Sequence, residues 1–324
     1  MITRKDIAAH LEKSIRTGFL AGSKGYTAKR GAFCKDVPSD GAFETYGDMG
    51  STPWPTQNSG KAGSGGTDGR TGAPVNGSMN AGQQVTVLGG EERSLIVYNI
   101  DWEVTIGIHH NSIDDDRAGD LESWAKTAAL NFEKHKDFKA FEALNTAEAT
   151  TTLGPGYDGL SLINDAHIDP NAEYQTGQDN KYALAMSYTN FNTVRIAGSK
   201  FLDSRGKSLG LAHNLLIYPP DLRDEAAQIL RNPEKAGTTN RDVNAYAGMI
   251  SGLEAPGGWL DTTAWFLVDD SMPQKPLNLQ LRKNAELVIW DDEAAGNGGI
   301  RYYKWHARYN VFPGDWRLII QGNS

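Results

Sequence analysis

Ile100, Trp102, Val104, Ile106 and Ile108 alternate with Asp101, Glu103, Thr105 and Gly107. A period of two marks a strand with one buried face. Soon afterwards the period changes. Leu121, Trp124, Ala128, Phe132, His135, Phe138 and Phe141 recur three and four apart, which predicts an amphipathic helix over 121–144, roughly 35 Å long. Ser112 and the run Asp114, Asp115, Asp116 lie just ahead of it. They supply an N-cap and acidic charge for a helix start. At the N-terminus, Ile7, Leu11 and Ile15 predict a helix over 3–18, with Gly18 placed to end it.

Between these elements the pattern lapses twice. Residues 21–48 are rich in Gly, Lys and Ser with little periodicity, and read as an irregular arm ordered by contacts elsewhere. Residues 59–82 hold eight glycines and almost nothing that could form a core. A structureless stretch of that length inside a compact domain is functional or disordered. Followed by so regular a strand, it reads as the tip of a long hairpin-like excursion.

Beyond 145 the elements mix. Leu215, Leu216, Ile217 and Tyr218 form a buried-strand run stopped by Pro219 and Pro220. A helix over 221–230 follows, with Asp221 as cap and Leu222, Ala226, Ile229 and Leu230 facing inward. Trp265 to Val268 is a second buried strand, and 189–196 fits either helix or strand. Strands are predicted at 277–281, 287–290, 302–309 and 316–320, and 231–240 reads as a surface loop. Helices and strands in this order make an α+β chain.

Composition narrows the function. The chain has 324 residues and a formal charge of −8, with no clustered Lys/Arg face for gripping phosphate backbones. Eight Trp and twelve Tyr suit large anchored contacts in a core or between chains. Cys34 is the single cysteine, so no intrachain disulfide forms. It reads as a small packing residue. The N-terminus lacks an apolar signal core, and no run reaches the roughly 20 apolar residues of a membrane span. A reducing cytoplasm is the expected folding compartment.

The chemical candidate is Asp165, His167 and Asp169, which alternation on a strand would place on one side as a divalent-metal set, with Asp158 nearby. Pro170 and the run Gly154, Pro155, Gly156 instead suggest a loop. His109 and His110 are adjacent and point to opposite strand faces. Nucleophile elbow, phosphate loop, dinucleotide fingerprint and paired-cysteine zinc patterns are missing from the sequence. No cofactor is therefore expected. Trp290, Tyr302, Tyr303, Trp305 and Trp316 lack interleaved basic residues and read as core or subunit interface.

The ordered set resembles a known family. Tyr46-Gly47-Asp48-Met49-Gly50 with Pro53 is similar to a loop start, and 98–108 to its returning strand, in the Mu-like major head subunit family of tailed phages. Residues 112–119 resemble that family's acidic link into its spine helix. Tyr157-Asp158-Gly159 with the downstream His167 resembles its Tyr-Asp-Gly motif. The resemblance implies a Hong Kong 97-like capsid fold. Its parts would be an N-terminal arm over 1–45 and an extended E-loop hairpin over 46–110 with its tip at 59–82. A peripheral domain with a long spine helix would follow over 111–166, then an axial domain over 167–285. Strands over 286–324 would return to the peripheral domain. Assembly contacts are expected at Tyr46, Trp54, Trp102, Ile106, Trp124 and Phe132.

The function so implied is that of a major capsid protein, assembling as pentamers and hexamers into an icosahedral shell around double-stranded DNA. Its expected partners are copies of itself, a portal, a scaffold and a decoration protein, with DNA enclosed without sequence reading and no membrane. The expected location is the virion capsid, after assembly in the host cytoplasm. No lysine–asparagine pair of the kind that crosslinks some shells of this fold can be placed from the sequence, so a covalent shell is not predicted. Two alternatives stand beside this reading: an encapsulin-like compartment, and a metal-dependent hydrolase using Asp165, His167 and Asp169.

Overall fold

The computed structural model describes residues 4–48, 93–109, 120–168, 177–203, 206–235, 242–292 and 299–323. The glycine-rich stretch 59–82, the acidic run 114–116, Trp54, His110 and Asp169 lie outside the described residues.

The predicted long helix is α2, Asp120–Asn145, preceded by α1, Arg4–Lys24. α1 does not end at Gly18. It continues because Gly18 and Gly22 form the seam against α2, on a stripe with the buried Ile15 and Phe19. A Cβ on Gly22 would stand 2.2 Å from the Lys126 carbonyl oxygen and 3.0 Å from Ala129 Cβ. The two backbones therefore meet where side chains are smallest. The buried stripe of α2 is accordingly Ala125, Ala129, Phe132, Ala140, Phe141 and Leu144, with Trp124 turned outward.

Gly22→Ala is expected to destabilise the subunit by about 1–2 kcal/mol. Alanine gains up to about 1 kcal/mol of helix propensity, but overpacking against an unyielding backbone costs roughly 1–3 kcal/mol or more. Gly31→Ala meets nothing within 4 Å and should be near neutral. Urea titration of the two variants would separate these outcomes.

Residues 21–48 are more regular than their composition suggests. A 3-10 turn at Arg30–Ala32 leads into β1, Cys34–Pro38. Phe33 is buried against Phe141, ring centroids 5.0 Å apart. Cys34 is buried, and that burial pushes its thiol pKa well up, as expected of a packing residue.

Two sheets organise the rest. The first has the order β1-β9-β10-β4, with β4 at Ile100–His109, β9 at Leu277–Asp292 and β10 at Ile300–Pro313. The alternating strand of the sequence is β4, paired antiparallel to β10 from Ile100↔Tyr309 to His109↔Ile300. The predicted strands at 277–281 and 287–290 are one continuous β9. The polar residues between them mark a β-bulge, where Glu286 faces His306 and Lys283 faces Arg308. Along β10, Tyr303, Trp305, Ala307, Tyr309 and Val311 alternate into the core.

The second sheet has the order β5-β11-β8-β6-β7. Its members are β5, Lys181–Tyr182; β6, Leu215–Tyr218; β7, Ser251–Glu254; β8, Trp265–Val268; and β11, Ile319–Gly322. β6, β8 and β11 are buried throughout. After a one-turn helix α3, Thr150–Leu153, come α4, Tyr188–Ser199, which packs on β11, and α5, Arg223–Leu230, which packs on β6 and β7. The ambiguous stretch 189–196 is thus helical, with Ser187 capping it through the Asn190 N–H. Asp221 lies in a 3-10 turn, not at the cap; Leu222 holds that position, without a side-chain bond.

Strand pairing distributes the C-terminal residues over both sheets. β9 begins inside 167–285 yet belongs to the first sheet, and β11 lies within 286–324 yet belongs to the second. Gly322 pairs with Trp265, and a Cβ there would stand 2.1 Å from the indole. The last strand can enter the second sheet because this position carries no side chain.

Candidate assembly surfaces

A two-stranded ribbon stands apart from both sheets: β2, Phe43–Asp48, antiparallel to β3, Arg93–Tyr98. Period-two geometry gives it two unlike faces. On one face Val97 is buried, and Tyr46 stacks on Phe312 at 4.5 Å. Tyr46 Oη donates to Gln280 Oε1 at 3.0 Å, and Gln280 Nε2 donates to the Val97 carbonyl at 3.3 Å. Burial pushes the Tyr46 phenol up to about 12. On the other face Phe43, Ile96 and Tyr98 are 50%, 53% and 65% exposed.

The ribbon's base is tied at Asn99. Its backbone N–H donates to the Ala42 carbonyl, and its Nδ2 donates to Ser39 Oγ and the Gly41 carbonyl at 3.0 and 2.9 Å. Glu44 accepts from the Gly41 and Asp40 N–H groups and from Ser39 Oγ, which together lower its carboxyl pKa. An apolar face is therefore held open on a fixed mount.

The remaining predicted contact residues divide into three groups. Trp102 Nε1 donates to the Tyr309 carbonyl at 3.0 Å, and its ring meets His135 edge-on at 4.5 Å. His135 Nδ1 lies 2.6 Å from Tyr309 Oη. Burial first, then Lys139, lowers the His135 pKa. Tyr46, Trp102 and the buried Phe132 thus make intrachain contacts, and Ile106 packs partly buried beside them. Trp124 is 55% exposed on α2. Trp54 lies outside the described residues.

Sequence reasoning missed the polar anchors beneath these surfaces. Asp137 is wholly buried on α2 and accepts from Tyr26 Oη at 2.9 Å, Lys29 N–H at 2.7 Å and Arg30 Nη1 at 2.9 Å. Arg30 also grips Asp36 through two nitrogens, at 2.8 and 3.2 Å. Burial opposes the charge on Arg30, but Asp36 and Asp137 outweigh it and hold the guanidinium more basic than usual. Burial and Asp137 together push the Tyr26 phenol pKa up. A charged pair at an interior helix position leaves no periodic signal, which is why pattern reading passed over it.

Among the described residues the metal candidates do not come together as a set. Asp165 is exposed, and Asp169 lies outside the described residues. His167 is buried, stacked flat on Trp316 at 4.1 Å, and its Nδ1 sits 2.5 Å from Asp158 Oδ2. Burial pushes the Asp158 carboxyl pKa up, yet the hydrogen bond and charge of His167, with the Leu160 N–H, bring it below normal. Alternation failed here because His167 makes only an isolated bridge to Gln178. Among the described residues, no three His, Cys, Asp or Glu are grouped to hold a metal. Instead, Asn180 completes a junction: its Nδ2 lies within bonding distance of the Leu162, Trp316 and Ile319 carbonyls.

The model of a family described as phage capsid protein matches residues 101–321, from β4 into β11. The chain belongs to the phage capsid protein family. Solved structures agree on the fold. The procapsid of bacteriophage JBD30 superposes with a TM-score of 0.53 at 19% identity, covering 100% of this chain and 76% of that one. The JBD30 capsid gives a TM-score of 0.55 at 16% identity, covering 73% and 92%. Mycobacterium phage Bobi gives 0.52 at 12% identity, covering 92% and 90%. No curated protein sequence matches the chain.

The fold is therefore the Hong Kong 97-like capsid fold, and the chain is a major capsid protein. Its role is structural, not enzymatic, and the hydrolase reading of Asp165, His167 and Asp169 falls with that assignment. Asp158 and His167 instead tie a loop to the 3-10 turn at Trp316, just ahead of β11.

Proposed function

We propose that this phage capsid protein assembles as pentamers and hexamers into an icosahedral shell around double-stranded DNA, and that the β2–β3 ribbon is its principal clasp on a neighbouring copy. The carrying observation is the ribbon's open face, where Phe43, Ile96 and Tyr98 stay exposed while the other face is locked to Gln280 and Phe312. Burying a large apolar side chain stabilises by about 1.5–3 kcal/mol. Three per ribbon, repeated around a closed shell, favour assembly through many weak contacts.

In this reading residues 1–45 form the arm and 46–110 the loop that reaches over a neighbour, its returning strand β4 rooted in the first sheet. The first sheet with α2 is the peripheral unit, and the second sheet with α4 and α5 gathers around the five-fold and six-fold axes. Tyr46, Trp102, Ile106 and Phe132 hold the clasp and spine in shape, while Trp124 joins Trp54 among the contacts between copies. The net charge of −8 suits DNA that is enclosed with its counterions and not gripped. Portal, scaffold and decoration proteins complete the particle, which assembles in the host cytoplasm and ends as the virion capsid.

A variant carrying Phe43→Ser, Ile96→Ser and Tyr98→Ser tests the clasp. It should give a soluble subunit with near-native unfolding that yields no shells by electron microscopy. Shells at normal yield would overturn the assignment of the ribbon.

A further inference from the structure

A cleft of about 310 Å³ lies between the 3-10 turn at Arg30, β1 and the link from β8 to β9. Its volume falls at the lower end of the range for small-molecule sites, about 300–1,000 Å³. Arg30, Lys35 and Lys275 face it together with a single carboxylate, Asp36. Three cations on one concave surface stand out in a chain with a net charge of −8.

The three are not equivalent. Arg30 is buried and already held by Asp36 and Asp137. Lys275 Nζ donates to the Asp270 backbone carbonyl at 2.8 Å and has no carboxylate partner among the described residues. Lys35 is exposed and makes no side-chain hydrogen bond or ion pair among the described residues. Two ammonium groups therefore share the cleft with donors to spare. Like charges gathered on a concave wall raise its positive potential, which a bound anion relieves.

The shape of the cleft is an independent observation. Gly31 offers bare backbone there, and a Cβ on it would meet nothing within 4 Å. Ala28, Pro273 and the buried Cys34 give the cleft an apolar side. Burial pushes the Cys34 thiol pKa up, so it stays uncharged. A cationic part and an apolar part lie within one small volume.

We propose that this cleft binds a small organic phosphomonoester, with its phosphate between Lys35 and Lys275 and its organic group along Ala28, Cys34 and Pro273. A phosphomonoester carries a charge of about −1.5 to −2 at pH 7 and three strong acceptor oxygens. That matches two ammonium groups. Lysine binds phosphate as a point charge without a fixed fork geometry, which suits two side chains from separate segments. A phosphodiester, as in a nucleic-acid backbone, has one negative charge and a second substituent to accommodate. A bound monoester would brace β1 against the link into β9, where the two strands already pair from Cys34↔Leu277.

Isothermal titration calorimetry of the soluble full-length subunit at constant ionic strength tests the site, with phenyl phosphate as the probe. Saturable binding of one molecule per chain is expected, about tenfold or more tighter than dimethyl phosphate, which carries half the charge. Lys35→Gln should weaken phenyl phosphate binding about tenfold or more, the loss of one charge-assisted contact. Its unfolding should match wild type, because Lys35 bonds to nothing described, so lost binding would not reflect lost folding. Lys200→Gln, an exposed lysine elsewhere, should leave the affinity unchanged. No saturable binding by the wild-type chain, or an unchanged affinity in Lys35→Gln, would overturn the proposal. A short DNA duplex that displaced phenyl phosphate at equal phosphate concentration would give the cleft to phosphodiesters and overturn it as well.

Discussion

Asp137→Ala should cost the subunit about 3–5 kcal/mol, the range for breaking a buried ion pair by removing one partner. Asp137 is fully buried, and Arg30 beside it is nearly so. The substitution leaves the guanidinium with Asp36 alone and strips acceptors from Tyr26 Oη and the Lys29 N–H. Against a typical domain stability of about 5–15 kcal/mol, that loss is a large share. The cost arises mainly from the orphaned charge and donors, so it should shrink when the charge goes too. Arg30→Met with Asp137→Leu should recover much of the loss, since apolar replacement of a buried pair is often neutral or stabilising. Urea unfolding of the single and double variants measures both. A loss below about 1 kcal/mol for Asp137→Ala would mean that water reaches the pair.

Stability should also fall by roughly 3 kcal/mol as pH drops from about 6.5 to 4, through His213. This ring is buried, with Nε2 3.1 Å from the Arg317 carbonyl and Nδ1 buried without a partner beside Gly198. Burial lowers its pKa to about 4; the Arg317 carbonyl and Asp269 pull the other way, and Arg195 adds to the lowering. An unfolded histidine takes up a proton below its ordinary 6.5, while folded His213 waits until about 4. Within that window the unfolded chain binds more protons, so stability declines with falling pH and levels off below it. Asp158 and Asp269 act in a lower window. Burial raises both carboxyl pKa values, but their hydrogen bonds bring them below normal, so their contribution is lost only as pH falls further.

His213→Asn isolates the histidine's share. Position 213 has φ of +42°, and Asn tolerates the left-handed region better than most residues. The variant should unfold with a flatter pH profile between 6.5 and 4. A profile that kept the full wild-type slope would assign the effect to other groups.

Much of the fold was legible in periodicity. The alternation around Trp102 became β4, the three-four repeat became α2, and the apolar runs at Leu215 and Trp265 became buried strands. The candidate surfaces were less legible. Tyr46, Trp102 and Phe132 were named as assembly contacts from the family resemblance, but a resemblance does not say which neighbour each side chain meets. Phe43, Ile96 and Tyr98 were not among the expected contact residues, because their exposure depends on how the ribbon is mounted at Asn99. His167 was noticed together with Asp158 and Asp165, but spacing did not say that the hydrogen bond goes to Asp158.

Sequence alone therefore determined the strongly periodic elements, their order and the family they resemble, because period and turn residues are local properties of the chain. Tertiary structure alone decided the contacts between distant segments. It turned Gly18 from a helix end into a seam, placed β11 in the second sheet, and joined Asp137 to Arg30. Such pairings depend on which backbones can approach and which buried polar groups find partners. Both are settled only when elements far apart in sequence compete for the same interior.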